Sequence, residues 1–499
     1  MAKPRVAIIG AGSSGLASLK QCLADDLDPI CFEQTSYVGG LWNFVEIDDD
    51  ENKDPHSSIY KSLITNVSKE MMTFSDFPIP AEWPSYLHNS LLAKPYIKFR
   101  TTVVRVSYLP DHRWKVKYIT RVNKDRTDEN LNSEHEEIFD FVMRVIVVGA
   151  GDSGVDIAVE LSHFASEVYL CTRRGTLPWI LPRLVGEKPV DQLLNRFSNY
   201  FLPNSCSVFT KLITQSLNSY PQSLRPTTPF YSSQPTFKLD IFERLSTGTI
   251  IVKKNILELM PDESKSIKFV DGSIVENIDV IIYATGYNID FPFLDKEIVN
   301  GGPEIEKEFE GEYKENLTWL YKMMFPPNYR NIAFIGLIQP IGSIFPFIEM
   351  QTRYVTSLTK GLINPLPSPQ DMSITIRNYH EKAKKRYYLS ARNTIYVYHV
   401  DYLDELAQEL GCYPHSLEIL KKFGFNIWKL VMFGIASPIQ YRLLGRQCWE
   451  GELVYLQLQY KNGPSKIIAM SNELLSSPYL NIIANYANIY LQSLQYYAI

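Results

Sequence analysis

Two glycine-rich segments have the spacing of turns that bind the phosphates of a dinucleotide. The first, Gly10 to Gly15, directly follows the apolar run Val6–Ile9. In such a turn the first glycine makes the bend, the second lets backbone approach a pyrophosphate, and the third lets the helix pack closely on the strand. The amides that begin the next helix then face the phosphate charge. The sequence therefore predicts a dinucleotide site here.

An acidic side chain supports this interpretation of the first turn. Glu33 ends the second predicted strand and lies 18 residues after Gly15, where a carboxylate can bind a ribose hydroxyl. A GxGxxG pattern alone also occurs in structural glycine turns. The strand before it, the helix after it and the acid beyond it together favour the dinucleotide site.

The second glycine segment, Gly149 to Gly154, is followed by a basic pair instead of an acid. It comes after the apolar run Val145–Val148, and Arg173 lies 19 residues after Gly154, with Arg174 next to it. A basic pair at this position accommodates the 2′-phosphate of NADP, so NADP is preferred over NAD. The alternative is a solvated charge pair, which would be the better interpretation anywhere else in the fold.

Composition excludes several other kinds of protein. The chain has 499 residues, 45% of them hydrophobic and 21% charged, with a net charge of −5, as in a soluble protein of two or three domains. It has no lysine–arginine block of the length that nucleic-acid binding needs. Its six cysteines form no CxxC pair, which disfavours a structural zinc and predicts buried thiols. No stretch reaches 18 uninterrupted apolar residues, so a membrane-spanning helix is not evident.

Several further motifs, taken with the two turns, resemble the flavin-containing monooxygenases, which are class B flavoprotein monooxygenases. The resemblance runs from the start of the chain to about residue 450. It is carried by Cys31–Glu33, Gly39–Trp42, Tyr60–Ser62 leading to Asn66, Asp76–Pro80, Ala284–Tyr287, Ile335–Ile338 and Ser437–Leu443.

The resemblance implies an α/β fold with two Rossmann-like dinucleotide-binding domains, an FAD domain being interrupted by an inserted NADP domain. The expected FAD domain comprises 1–143 and 284–460. The NADP domain would be 144–283, with an insertion at about 186–235, and 461–499 would form a C-terminal tail. Ile281 to Tyr287 reads as a buried strand ending in a small-residue turn, where the chain would cross between the two domains.

The resemblance also implies the reaction. NADPH would reduce FAD, the reduced flavin would take up O2, and a C4a-hydroperoxyflavin would oxygenate a nucleophilic nitrogen or sulfur of a small molecule. The cofactor carries such chemistry while the protein orients it and excludes water, which fits the lack of an evident catalytic triad or carboxylate pair.

The resemblance assigns roles to single residues. Asn66 matches the family's active-site asparagine, although a lone asparagine is also a common turn residue. Gly40 and Trp42 would line FAD, with a plain Gly-Gly turn as the alternative. The predicted contacts to FAD are Gly10, Gly12, Ser14, Gly15, Glu33, Gly40, Leu41, Trp42 and Asn66. Those to NADP are Gly149, Gly151, Asp152, Ser153, Gly154, Arg173 and Arg174, with Thr285 and Gly286 at the crossing turn.

The sequence departs from the family where its two nucleotide domains should be joined. Met143 is followed at once by Arg144, so the FxGxxxHxxxY motif and the linker between domains are absent. A shorter gap follows Leu92. A strand has about five or six residues, and the run 139–148 leaves no loop between two of them. We expect the FAD domain to lose an element that covers its cofactor.

These departures keep three functions open. The first is an NADPH- and FAD-dependent monooxygenase. The second is an impaired or uncoupled relative that binds nucleotide only, and the third, a pyridine-nucleotide-disulfide reductase, ranks last because no CxxC follows the first helix. The family suggests the cytosolic face of the endoplasmic reticulum membrane. Surfaces around 195–220 and 421–435 would make peripheral contact there, and a cytoplasmic location follows if the tail is no anchor. The oligomeric state is left open.

Overall fold

The computed structural model describes most of the chain from residue 3 to residue 448. The described residues are 3–34, 38–42, 63–75, 85–86, 101–108, 113–121, 132–140, 144–185, 188–193, 195–201, 216–232, 234–260, 265–309, 316–340, 342–387 and 394–448. The predicted tail 461–499 and the motifs at 60–62 and 76–80 lie outside them.

The described strands form parallel and antiparallel sheets. In chain order they are β1 (Arg5–Ile9), β2 (Asp28–Phe32), β3 (Thr101–Tyr108), β4 (Arg113–Arg121), β5 (Asn132–Asp140), β6 (Arg144–Val148), β7 (Glu167–Cys171), β8 (Leu184–Val185), β9 (Lys188–Pro189), β10 (Ile250–Lys253), β11 (Ile256–Leu259), β12 (Ile267–Phe269), β13 (Ile274–Val275), β14 (Val280–Tyr283), β15 (Gln339–Pro340) and β16 (Tyr396–Val397).

The described helices concentrate in the C-terminal half. They are α1 (Ser13–Ala24), α2 (Lys69–Met72), α3 (Asp152–Leu161), α4 (Arg196–Phe201), α5 (Ile241–Ser246), α6 (Lys296–Asn300), α7 (Pro303–Glu308), α8 (Phe345–Thr359), α9 (Pro369–Arg386), α10 (His399–Leu410) and α11 (Ser416–Phe433). The short helix α2 lies three residues after Asn66. Among the described helices, none has the length and apolar character needed to cross a membrane.

The first strand–turn–helix unit forms a sheet of two parallel strands. β1 pairs with β2, and α1 connects them. Ile8 and Cys22 are buried between the sheet and the helix, but Ile9 and Phe32 are 69% and 57% exposed. Within the described residues, no third strand pairs with either edge of this sheet.

The second unit forms a more complete sheet. Four parallel strands lie in the order β10-β7-β6-β14, and the inner strands β6 and β7 are apolar because both faces of the sheet are covered. Val155, Ala158 and Val159 of α3 are fully buried against it. The parallel sheets with connecting helices confirm the α/β fold class.

The run around Met143 is divided between two sheets. β5 ends at Asp140 as the last strand of an antiparallel β3-β4-β5 sheet, and β6 begins at Arg144 in the four-stranded parallel sheet. The apolar run 144–148 therefore belongs to the second unit alone. That the FAD domain loses an element covering its cofactor stays a prediction.

The largest apolar core lies among the C-terminal helices. Phe347, Met350 and Tyr354 of α8 pack with Leu403 and Leu406 of α10. α8 also contacts α1, so this core supports the first glycine turn. The predicted buried thiols are confirmed at Cys22, Cys171 and Cys412, whereas Cys448 is exposed; Cys206 lies outside the described residues.

Candidate functional site

The second glycine turn forms one wall of a cavity of about 710 Å³. Six predicted residues line it: Gly149, Gly151, Asp152, Arg173, Arg174 and Thr285. The cavity lies at the carboxyl ends of β6 and β7 and at the start of α3, where nucleotides bind in open parallel sheets. Six of the residues that the sequence predicts to contact NADP or the crossing turn therefore lie around one cavity, and their role stays a prediction.

Close backbone packing explains the glycines of this turn. Gly149 has φ +110°, and a Cβ there would overlap the carbonyl oxygen of Ala284; one at Gly154 would overlap the carbonyl oxygen of Gly149. The Gly149 amide donates to the Cys171 carbonyl at 3.0 Å, and the Ala284 amide donates to the Val148 carbonyl at 2.8 Å. Gly151 instead has open space where a Cβ would be, so backbone can meet a phosphate there.

The remaining predicted residues of this cavity differ in exposure. Arg173 and Arg174 are exposed at its wall, as a pair that binds a phosphate from solvent would be. Ser153 is exposed on the first turn of α3 and is not among the lining residues. Gly286 follows β14 with φ +91°, a conformation that favours glycine.

Asp152 is the acidic member of this cavity. One carboxylate oxygen, Oδ1, is buried and has no hydrogen-bond partner among the described residues. Burial raises the pKa of Asp152 to about 6, with neighbouring Asp156 adding to the rise. The amide of Phe237 and the hydroxyl of Thr236 oppose it by hydrogen bonding to the carboxylate.

The first glycine turn closes a smaller network around Glu33. The Ala11 amide donates to Glu33 Oε2 at 2.6 Å, and the Gly10 amide donates to the Phe32 carbonyl at 2.7 Å. A Cβ at Gly15 would overlap the Gly10 carbonyl oxygen, as at the second turn. Glu33 therefore lies beside the turn, as a ribose-binding carboxylate should.

Further residues predicted to contact FAD lie around this turn. A Cβ at Gly40 would lie 3.0 Å from the Gly12 Cα, so the Gly40 turn packs against the dinucleotide turn. A Cβ at Gly336 would overlap Ser14 Oγ. Leu41 and Trp42 are exposed. The first glycine turn, the start of α1 and the Glu33 carboxylate are together compatible with the binding of a dinucleotide such as FAD.

The two turns differ at their first glycine. Gly149 is crossed by the backbone of Ala284, which follows β14, but Gly10 with φ +95° has nothing within 4 Å of a Cβ. The described residues supply no crossing chain above the first turn.

A second cavity, of about 540 Å³, lies between α1 and α8. Its apolar wall includes Leu16, Trp42, Met72, Phe74 and Phe345. The Phe345 ring centroid is 5.4 Å from that of Trp42 and 5.3 Å from that of Phe74. Ser13 and Gly39 also line this cavity, so it lies beside the first glycine turn. The apolar side chains of its wall can exclude water there.

A buried ion pair supports the floor of this second cavity. Arg442 Nη2 donates to Glu349 Oε1 at 2.7 Å, and the Ser75 amide donates to Glu349 Oε2 at 2.7 Å. Glu349 lines the cavity, and its two partners come from distant parts of the chain. The motif Ser437–Leu443 contains Arg442, but the sequence did not predict its ion pair with Glu349.

Asn66 lines neither of these two cavities. Its amide oxygen accepts a hydrogen bond from Arg183 Nη2 at 3.0 Å. The Ser68 amide donates to Asp191 Oδ2 at 2.7 Å, and Gln192 Nε2 donates to Glu70 at 2.9 Å. Arg183 and the insertion of the second unit thus form hydrogen bonds with residues 66–70.

Three residues with contacts to the predicted sites were not found from the sequence. Arg183 binds Asn66, and Gln339 and Tyr396 line the 710 Å³ cavity. None lies at a motif spacing that could have indicated its role. Over the described part of the chain, no cluster of His, Cys, Asp or Glu could hold a metal ion.

Comparison with known proteins identifies the family. The model of the flavin-binding monooxygenase-like family matches residues 3–143 and 125–491. Dimethylaniline monooxygenase [N-oxide-forming] 2 of Macaca mulatta is 37% identical, over 90% of both chains. Flavin-containing monooxygenase 5 of Mus musculus is 36% identical, over 90% of this chain and 91% of its own.

The same comparisons bear on the departure at Met143. The first matched range ends at that residue, and the alignment with the macaque relative spans 517 positions, more than the 499 residues of this chain. This chain therefore carries gaps relative to that protein.

A solved structure supports the architecture. S-allyl-L-cysteine S-oxygenase from Allium sativum superposes with a TM-score of 0.50 at 21% identity, over 93% of this chain and 99% of its own. The similarity shows the fold alone. The family model and the two relatives establish that this chain belongs to the flavin-binding monooxygenase-like family, whose cofactors are the FAD and NADP predicted from the sequence.

Proposed function

We propose that this protein is an NADPH- and O2-dependent flavin monooxygenase that oxygenates nucleophilic nitrogen or sulfur of small molecules. The observation that carries the proposal is the pair of glycine turns, each followed by the side chain its nucleotide requires. Glu33 lies beside the first turn, and Arg173 and Arg174 line the cavity of the second. The family relatives named dimethylaniline and flavin-containing monooxygenases act in this class.

The residues of this chain would hold and shield the cofactors. Bound FAD and NADPH supply the redox and oxygen chemistry. The amides at Gly12 and Gly151 would face the two pyrophosphates, and the start of each following helix would favour their charge. Trp42 and Phe345 would exclude water beside the first turn, where an uncovered site would waste reduced cofactor.

We assign Asn66 to the site as a side chain positioned by Arg183. An amide whose oxygen already accepts a hydrogen bond from Arg183 keeps its NH2 group free to donate toward a cofactor or substrate. The domain boundaries proposed for this arrangement remain 1–143 with 284–460 for FAD and 144–283 for NADP, with 461–499 as a tail.

A second candidate is an impaired relative that binds nucleotide but couples poorly. The observation favouring it is the open space at Gly10, combined with a first sheet of two strands among the described residues. Water that reaches the flavin would discharge activated oxygen without product. Such a protein would consume NADPH without oxygenating a substrate.

One experiment separates the two candidates. The purified chain is examined for flavin absorbance and for NADPH consumption with and without N,N-dimethylaniline or a thioether. The monooxygenase predicts bound flavin and oxygenated product that scales with NADPH consumed. NADPH consumption without product would support the impaired relative, and absence of both flavin and NADPH consumption would contradict the proposed function.

We also propose peripheral contact with the cytosolic face of the endoplasmic reticulum membrane. Tyr200 and Phe201 of α4 and Phe425 of α11 are about half exposed, and Phe433 of α11 packs on the neighbouring Phe197. Exposed aromatics on amphipathic helices bind membrane interfaces. Co-sedimentation with phospholipid vesicles that is lost in Phe425→Ser would support this contact, and unchanged binding would contradict it.

A further inference from the structure

Asp152 is an acid in a cavity whose proposed ligand is a polyanion. It is the first residue of α3 and lines the 710 Å³ cavity beside Gly149 and Gly151. NADP carries a pyrophosphate and a 2′-phosphate, and the arginine pair at the cavity wall suits the latter. A carboxylate in the same cavity opposes that binding.

Two physical effects act on the Asp152 carboxyl in opposite directions. The start of a helix favours a negative charge, and Arg183, Thr236 and the Phe237 amide also stabilise the carboxylate. Burial and the like charge of Asp156 favour the neutral form. Their effect is the larger one, so the pKa of Asp152 is raised to about 6. The acid therefore changes charge close to neutral pH.

The other acidic side chains on and beside α3 lie close to a lysine. Lys238, on the segment packed against α3, lies 3.5 Å from Asp156 and 3.6 Å from both Glu160 and Asp240. This lysine offsets the other acids of the helix, so Asp152 is the acid of α3 that faces the cavity. Its Oδ1 has no partner among the described residues.

We propose that Asp152 makes the affinity for NADP(H) depend on protonation: its neutral carboxyl accepts the dinucleotide, and its carboxylate repels it. The neutral form can donate its proton to an oxygen of the ligand, which the carboxylate cannot do. The inference rests on the proposed NADP role of this cavity. It extends that role by naming the residue that sets the pH dependence of binding.

The sign of the dependence follows from linkage. A bound polyanion raises the pKa of Asp152 further, so binding takes up a proton between the free and bound pKa values. Affinity is greatest below about pH 6, falls as pH rises above that value and levels off above the pKa of the complex. The 2′-phosphate titrates with a pKa near 6 and has the opposite effect, since the arginine pair favours its dianion.

The test measures NADP+ binding by titration calorimetry from pH 5.5 to 8.5. The full chain with the FAD it retains is compared with Asp152→Asn. The ratio of the wild-type Kd to the variant Kd cancels the titration of the 2′-phosphate. We expect it to lie near one at pH 5.5 and to rise on the order of tenfold by pH 8.5, which corresponds to a one-unit rise in pKa on binding.

Glu160→Gln is the matched control, since it removes one negative charge from the same helix outside the cavity. Its ratio to wild type should stay constant with pH. A constant ratio for Asp152→Asn, or weaker binding by this variant at pH 8.5, would overturn the inference.

A measurement on the unaltered protein covers the case in which the variant does not fold. Titrations near pH 7 in buffers of different ionisation enthalpy give the protons exchanged on binding. We expect net uptake with NADP+, and net release or no exchange would overturn the role of Asp152 while leaving the cavity assignment intact. Absence of NADP+ binding at every pH would overturn both.

Discussion

We propose that charged side chains determine which dinucleotide the 710 Å³ cavity binds. Arg173 and Arg174 line it together with Asp152, so one site contains two side chains that would attract a phosphate and one that would repel it. Guanidinium groups keep their charge at any working pH, whereas the pKa of Asp152 is raised to about 6 by burial. We propose that the arginine pair determines which dinucleotide binds and that Asp152 determines how the binding depends on pH.

The arginine pair should discriminate between NADP+ and NAD+. Replacing both by Ala in Arg173→Ala/Arg174→Ala removes charge-assisted bonds to the 2′-phosphate, each worth roughly 1.5–3 kcal/mol. We expect the Kd for NADP+ to rise by at least about a hundredfold and that for NAD+ to change little. Equilibrium binding of both nucleotides measures this.

Arg225→Ala is the control for general loss of positive charge, because Arg225 is exposed but does not line the cavity. It should leave both dissociation constants unchanged. An equal loss for NAD+ and NADP+ in the double variant would contradict a 2′-phosphate site.

The strand–turn–helix elements hold these side chains by backbone contact. At Gly154 a Cβ would overlap the Gly149 carbonyl oxygen, whereas Gly151 has open space and φ −77°. Two alanine substitutions in one turn should therefore have different effects. Gly154→Ala must move the helix away from the strand, but Gly151→Ala only narrows the cavity.

We expect Gly154→Ala to lower the free energy of unfolding by at least about 2 kcal/mol, as strained packing does. Gly151→Ala should cost about 1 kcal/mol or less and still weaken NADP+ binding by roughly tenfold, because its Cβ would occupy space meant for phosphate. Thermal unfolding and nucleotide binding measure the two effects. Equal destabilisation by both would refute this account of the turn.

Elements with local patterns were predictable from the sequence. β1 was predicted at Val6–Ile9 and is Arg5–Ile9, because an apolar run followed by spaced glycines determines strand, turn and helix within a few residues. The arginine pair was predictable for the same reason. Each of these signals lies within about 25 residues of chain.

Contacts between distant segments were not predictable. Arg183 binds Asn66 from 117 residues away, and Arg196 binds Asp404 from 208 residues away. No periodicity relates such pairs, since they depend on how the whole chain packs. The loss of an element from the FAD domain, inferred from the run 139–148, stays a prediction.

A buried ion pair joins the insertion of the second unit to the C-terminal helices. Arg196 Nη1 of α4 lies 2.5 Å from Asp404 Oδ2 of α10, and both side chains are 3% exposed. Gln440 accepts from Arg196 Nε at 2.6 Å, and Tyr441 donates to Asp404 Oδ1 at 2.7 Å. Both charged groups have hydrogen-bond partners besides each other, so the pair helps to determine how α4 packs against α10.

Removing one partner should be costly. Asp404→Asn leaves the Arg196 charge buried without its counterion, which costs about 3–5 kcal/mol. Glu308→Gln breaks the Arg377 pair, whose side chains are 41% and 37% exposed, and should cost less than about 1 kcal/mol. Urea unfolding followed by tryptophan fluorescence compares the two variants, and a similar small cost for both would contradict a structural role for the buried pair.

Among the described residues, the whole molecule combines a four-stranded unit around the second glycine turn with a two-stranded unit in which nothing lies within 4 Å of a Cβ built at Gly10. The most direct test follows oxygen itself. The purified chain is supplied with FAD, NADPH, N,N-dimethylaniline and isotopically labelled O2, and the product is analysed by mass spectrometry. We predict FAD-dependent NADPH consumption with one labelled oxygen atom in the N-oxide. NADPH consumption that does not depend on FAD, or the absence of labelled product, would contradict the assignment as a flavin monooxygenase.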